Sequence, residues 1–307
     1  MTVEATTGET AGLQAKVGRR RGRSAIEGES WRELSAVAQV ALYVILVILS
    51  ALMLFPFVWM VSTALRPAGY ETLQTLIPQP YLAFENFAKA WSYRGTFFTQ
   101  WLVNSVVISF VATFMSVVLN ALSGFAFAKY DFKGRDALFI CVLATMMVPF
   151  QVIMIPVYVV IAAYLGLANN YWGVILPSTA SAFGIFLMRQ FMQSIPDELL
   201  DASRIDGASE LRIFSQIILP LSMPAVAVFA ILHFLHMWND YLLPLLVMTR
   251  RQMFTFQIGI VNFQGEYRAE WNLMMSMVLV SIVPPILIFL LFQRYFIRGI
   301  AMTGMKG

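Results

Sequence analysis

The chain has 307 residues, of which 59% are hydrophobic and 12% charged, against about 25% charged in an ordinary soluble domain. So little charge cannot cover a water-facing surface, and a soluble globular protein is excluded. The formal net charge is +4, but the basic residues sit mainly in short segments flanking apolar runs, which points to membrane orientation rather than to nucleic acid.

Residues 1–35 combine Thr, Gly and Glu with a basic run at 16–23. They bury too little apolar surface to fold alone, so a disordered cytoplasmic tail is expected. The segment from Gly18 to Ser24 superficially resembles a phosphate loop, yet it lacks the Gly-Lys-Ser/Thr ending and a preceding strand. Nothing else matches a nucleotide-binding loop, so any ATP must be handled by another subunit.

Six apolar runs follow, at 36–64, 102–128, 137–164, 171–188, 224–248 and 273–296. Each approaches or exceeds the roughly 20 residues that cross a ~30 Å hydrocarbon core as a helix. They are apolar almost all round, unlike the striped helices of soluble bundles. The first run lies too far into the chain, and is too long, for a secretory signal, and it reads as a retained span. The expected fold is an all-α integral membrane protein with six transmembrane helices.

Between the first two runs, the outer segment 65–101 carries Pro67, Pro78 and Pro80, followed by Phe84, Phe87 and Trp91. An irregular loop and then a short interfacial helix are expected there. Cys141 is the single cysteine, so no intrachain disulfide is possible. Pro149 and Pro156 in the third run, and Pro284 and Pro285 in the sixth, are expected to interrupt their helices.

With the amino terminus inside, the inner segments hold fifteen basic residues and the outer ones six: Arg66, Lys89, Arg94, Arg250, Arg251 and Arg268. The positive-inside rule favours that orientation, and an even number of spans returns the carboxyl-terminal tail, 297–307, to the cytoplasm.

Between the fourth and fifth runs lies a polar loop, 194–220. Ser194, Pro196, Asp197 and Glu198 suit a helix start, Gly207 a left-handed stop, and a second helix is expected from about Ala208, with Pro220 at the turn into the membrane. Leu199, Ala202 and Ile205 recur at helical spacing, a short apolar strip between charged flanks. Such a strip needs either a groove to dock in or a membrane surface to lie on.

The stretch Asp201, Ala202, Ser203, with Arg204, Gly207, Leu219 and Pro220, resembles the EAA loop of binding-protein-dependent ABC importer permeases, whose pattern is Glu-Ala-Ala, three residues, Gly, and an Ile-x-Leu-Pro ending. Here Asp stands for Glu and Ser for the second Ala. The resemblance runs from about Leu42 to Gly307 and is similar to the maltose-type carbohydrate permeases. Its other marks are Pro149, Pro156, Gly166, Gly184, Arg189, Trp238, Asn239 and Asp240 with their neighbours, and the ending Met305, Lys306, Gly307. The resemblance implies a type I ABC importer permease fold with both termini cytoplasmic, in a bacterial or archaeal plasma membrane. The importer would contain a second homologous permease, two ATP-binding cassette ATPases that use ATP and Mg, and an extracytoplasmic solute-binding protein. The expected ATPase-coupling residues are Leu199, Asp201, Ala202, Ser203, Arg204, Gly207, Leu219 and Pro220, and the expected cargo is a sugar or, on the same pattern, a glycerol phosphate. No catalytic, cofactor or metal residues are expected in this chain.

In the fifth run His233, His236, Asn239 and Asp240 are costly inside a bilayer and become functional candidates. Measured from Pro224, His233 lies ~13 Å in and Asp240 ~24 Å in, and a continuous helix would put His233, His236 and Asp240 on one face. Two readings stand: a polar stripe lining the substrate path, or a hydrogen-bond network between helices. Two His at i, i+3 make a poor metal cage. A secondary transporter would need more ionisable groups at mid-membrane and an internal repeat, and an integral-membrane enzyme would need an acid/base set at one depth. Neither pattern is evident.

Overall fold

The computed structural model describes residues 35–70, 77–78, 81–93, 95–266 and 270–303, with backbone alone for 265, 266 and 294–303. The expected disordered tail, its basic run at 16–23, Pro80, Arg94, Arg268 and the ending Met305 to Gly307 lie outside the described residues. Two compact units are present, one up to Met60 and one from Val61 onward.

Helix α1, Ala36–Ala64, supplies all the described structure of the first unit apart from Ser35. Its side chains from Val40 to Trp59 are exposed all round and almost wholly apolar. A helix apolar all round suits a membrane span.

The second unit continues with α2 (Glu85–Trp91), α3 (Phe98–Lys129), α4 (Arg135–Ala144), α5 (Phe150–Val159), α6 (Trp172–Thr179), α7 (Ala182–Met192), α8 (Glu198–Ile205), α9 (Glu210–Leu221), α10 (Met223–Asn239), α11 (Leu242–Val247), α12 (Phe256–Glu266) and α13 (Trp271–Thr303). No strand occurs among the described residues. α2 is a short helix where one was expected between the first two runs, and α3 begins at Phe98, four residues ahead of the second apolar run. α3 is the hub of this unit and packs on α6, α7, α10 and α12, while α13 packs on α10 and α2.

Close approach at the hub depends on missing side chains. A Cβ added to Gly124 would lie 2.4 Å from Met188 Cβ, and one added to Gly184 would lie 2.5 Å from Phe229 Cζ. Small residues let membrane helices gain dispersion contacts in the absence of a hydrophobic driving force between them.

Among the described residues, three unbroken helices are long and apolar enough to cross a membrane, α1, α3 and α13, and the number becomes six if each bent pair counts as one span. The pairs are Arg135–Met147 with Phe150–Tyr164, bent by 101°, α6 with α7, bent by 40°, and α9 with α10, bent by 79°. The third run is therefore not one straight helix. Pro149 pushes Val148 out of the helical region, to φ −89° and ψ 112°, as the ring of a following proline does. Pro156, by contrast, sits inside α5 without ending it.

The expectation that Pro284 and Pro285 interrupt the sixth span is also corrected, because α13 runs through both. Pro285 has no N–H for the carbonyl of Ser281, four residues earlier. The indole Nε1 of Trp238 on α10 donates to that carbonyl at 3.0 Å. The acceptor freed by the proline is thus satisfied from a neighbouring helix, as the bilayer interior requires.

Candidate functional site

The polar loop folds into two short helices laid on the membrane core. Leu200 of α8 and Ile213, Phe214 and Ile218 of α9 are buried among Ala121 and Phe125 of α3, Met188 and Met192 of α7, and Phe229 of α10. The buried apolar residues of the loop share one cluster with α3, α7 and α10, so the loop is part of the unit's core rather than an appendage.

Between the two helices the chain turns at Gly207, at φ +80°. Ala208 N–H donates to Ser203 O and Gly207 N–H to Arg204 O, both at 3.0 Å, the paired bonds of a Schellman stop. Ser209, at ψ 156°, then leads into α9 at Glu210, two residues past the expected start at Ala208. Ser194 does not cap α8: its hydroxyl donates to Phe191 O at 2.7 Å. Asp197 holds the cap position instead, with its carboxylate taken up by a residue of α3.

That residue is Lys129, the last of α3, whose side chain is only 3% exposed. Its ammonium donates to Ile195 O at 2.5 Å and to Asp197 Oδ1 at 2.6 Å. The next residue, Tyr130, donates its hydroxyl to Glu210 Oε2 at 2.5 Å. Arg204 closes the loop on itself, with Nε to Glu210 Oε1 at 2.9 Å and Nη1 to Asp201 Oδ1 at 3.1 Å. The hydrogen bonds from Arg204 and Tyr130 hold the Glu210 carboxyl below its ordinary range. Burial and the neighbouring Glu210 push the Tyr130 phenol up to about 12.

What the loop leaves uncovered is apolar. Ile205 is 87% exposed and Leu211 70%, and Leu199, Ala202 and Pro220 are exposed too. Ser203 turns its hydroxyl back to Leu199 O at 2.7 Å, and Leu219 is half-buried at the last turn of α9. The uncovered part of the loop is therefore a set of bare alkyl side chains with carboxylates around it.

In the sequence Lys129 is one of the fifteen basic residues of the inner segments, and Tyr130 carries no mark of its own. The one available signal is a cation in the last turn of a long helix, where the dipole favours it. Its carboxylate partner lies 68 residues away, and no local pattern encodes that pairing.

The four candidates of the fifth run separate. His233 is buried, with Nε2 3.0 Å from Ser178 O and Nδ1 3.3 Å from Thr113 Oγ1. A carbonyl only accepts, so Nε2 carries a proton and donates to Ser178 O, while Nδ1 and the Thr113 hydroxyl share the second hydrogen bond. The Nε2 bond satisfies one of the orphan carbonyls at the end of α6. Asn120 of α3 completes the join to α7, donating to Thr179 O at 3.1 Å and accepting from Ser181 N–H at 3.0 Å.

α10 ends at Asn239, and Asp240 has ψ 128°, so the expected shared face of His233, His236 and Asp240 is corrected: the helix stops one residue short of Asp240. Asp240 is half-buried and accepts the N–H of Leu242, the first residue of α11, at 3.2 Å. His236 and Asn239 are exposed, Asn239 donating to Leu235 O at 2.8 Å. Among the described residues no group of three His, Cys, Asp or Glu side chains is placed to hold a metal ion.

Residues 121–302 match the family model described as binding-protein-dependent transport system inner membrane component. The arabinooligosaccharides transport system permease protein AraQ of Halalkalibacterium halodurans is 38% identical over 257 residues, 82% of this chain and 91% of that protein. The protein of the same name from Bacillus subtilis is 35% identical over 275 residues, 89% and 97% respectively. The sn-glycerol-3-phosphate transport system permease protein UgpE of Escherichia coli O157:H7 is 37% identical over 258 residues, 81% and 91%. A bacterial ABC transporter for the import of the acidic polysaccharide alginate has a chain that superposes with a TM-score of 0.75 at 21% identity, covering 86% of this chain and 99% of that one, a likeness of fold.

Proposed function

Because the chain belongs to the family of binding-protein-dependent transport system inner membrane components, a multi-pass permease of an ABC importer in the inner (plasma) membrane and not an enzyme, we propose that its cargo is a sugar. In this reading it forms half of the path together with a second, homologous permease. Two ATPase subunits receive the loop helices α8 and α9, whose bare Leu199, Ala202, Ile205 and Leu211 fill their clefts. ATP binding there draws the loops together and shifts the permeases from inward to outward opening, a population shift carried by the docked helices.

The observation that favours a sugar over a glycerol phosphate is the charge of the spans. Across the six apolar runs the only Asp, Glu, Lys or Arg residues are Asp240 and, at the far end of the sixth, Arg294. A phosphate is held by Arg, Lys or backbone N–H groups and repelled by a carboxylate. Hydroxyls exchange hydrogen bonds readily with a carboxylate, an amide and an imidazole. His236 and Asn239, exposed at the end of α10, and Asp240 beyond it are the proposed path residues, while His233 is tied into the helix junction. In the assembled importer, His236→Ala and Asp240→Asn should raise the KM for uptake several-fold while the ATPase still co-purifies. Unchanged KM in both variants would take these residues out of the path.

A further inference from the structure

We infer that Lys129 and Tyr130 are the positioning residues that lock the coupling loop to α3, making loop and helix one lever. The inference rests on the reading of α8 and α9 as the ATPase-coupling element. It concerns a different question, namely how motion leaves the loop for the membrane.

The last residue of α3 and the residue after it hold different parts of the loop. Lys129 grips the start of α8, through Ile195 O and the Asp197 carboxylate. Tyr130 grips the start of α9, through Glu210. Arg204, braced by Asp201 within α8, ties α8 to α9 across Gly207 through the same Glu210. Two polar attachments on separate helices that are themselves cross-tied fix the angle of the loop to α3, in addition to the apolar packing beneath it. The packing beneath is continuous with this clamp, since Phe125, four residues before Lys129, stacks edge-on to Tyr130 with ring centroids 5.3 Å apart and lies 5.4 Å from the ring of Phe214 in α9.

The setting makes the Lys129 contact a strong one. An ammonium held at 3% exposure is satisfied by a carbonyl and a carboxylate and lies at the negative end of a 32-residue helix. The Asp197 carboxylate is itself 76% exposed, so the buried end of the contact is the lysine stem and its bond to Ile195 O, and loss of the carboxylate would leave the ammonium that carbonyl alone. Moreover α3 is the helix that α6, α7, α10 and α12 all pack upon. A force applied to the loop therefore enters the unit at its hub.

The test uses the complete importer in vesicles, with the loaded binding protein outside and ATP available to the ATPase subunits. In a Cys141→Ser background, spin labels at Leu122 of α3 and Glu198 of α8, both exposed, should give one narrow distance distribution that ATP leaves unchanged. In the double variant Lys129→Met, Tyr130→Phe the distribution should broaden. Substrate accumulated per ATP hydrolysed should fall about tenfold, the size expected for losing a hydrogen bond to a charged group, with the ATPase still co-purifying. Lys129→Arg, which keeps the charge and the donors, should restore most of that ratio. An ATP-driven change of distance in the parent, or an unchanged transport-to-hydrolysis ratio in the double variant, would overturn the lever. A parent chain that recovers no ATPase would instead sink the coupling reading itself, so the two failures are distinct.

Discussion

His233 shows how a residue's chemistry can be visible in sequence and its task not. A histidine in an apolar run signals a polar duty at membrane depth, and the duty it performs is to serve two other helices, Thr113 on α3 and the Ser178 carbonyl at the end of α6. Asn120 does the same for the other side of the α6–α7 join. Pro177 lies in the last turn of α6, and at the break itself, Ala180 and Ser181, side chains 59 to 61 residues away in sequence satisfy the freed groups. His233→Leu should therefore lower the thermal stability of the detergent-solubilised protein, by about 1–3 kcal/mol for the polar groups left without a partner. His236→Ala should leave it near the parent value. A melting curve of each variant checks the pair, and equal melting temperatures for parent and His233→Leu would remove His233 from the junction.

At the level of elements, the spans were legible where local chemistry decides and illegible where a neighbour decides. The break at Val148 and Pro149 follows from the ring itself. The same rule predicts a break at Pro284 and Pro285 that does not occur, because Trp238 supplies the donor that Ser281 O lacks. The two loop helices and the left-handed glycine were readable from Asp197, Glu198 and Gly207, whereas the grip of Lys129 and Tyr130 was not. Gly207 offers a clean test of the loop. A Cβ added there meets nothing within 4 Å, so a substitution acts through the backbone alone, at roughly 1–2 kcal/mol for a left-handed residue. Gly207→Val should insert in the membrane in normal amount and yet lose binding-protein-stimulated ATP hydrolysis together with uptake. Normal stimulation and normal accumulation in this variant would show that the loop is not the coupling element.

For the whole molecule, the number of spans and the sidedness make a joint prediction. A reporter fused after Gly307 should be cytoplasmic and one inserted at Gly69 extracytoplasmic, as six spans and the excess of basic residues on the inner side require. Both reporters on one side would contradict that topology. The central claim, that this permease passes a neutral sugar when ATP is spent on the other side of its loop, is tested most directly by counter-substrate uptake in vesicles holding the complete importer. With the loaded binding protein outside and ATP within, labelled neutral oligosaccharide should accumulate, with excess glycerol 3-phosphate failing to compete. Accumulation of glycerol 3-phosphate in its place, or sugar uptake that continues without ATP, would contradict the account.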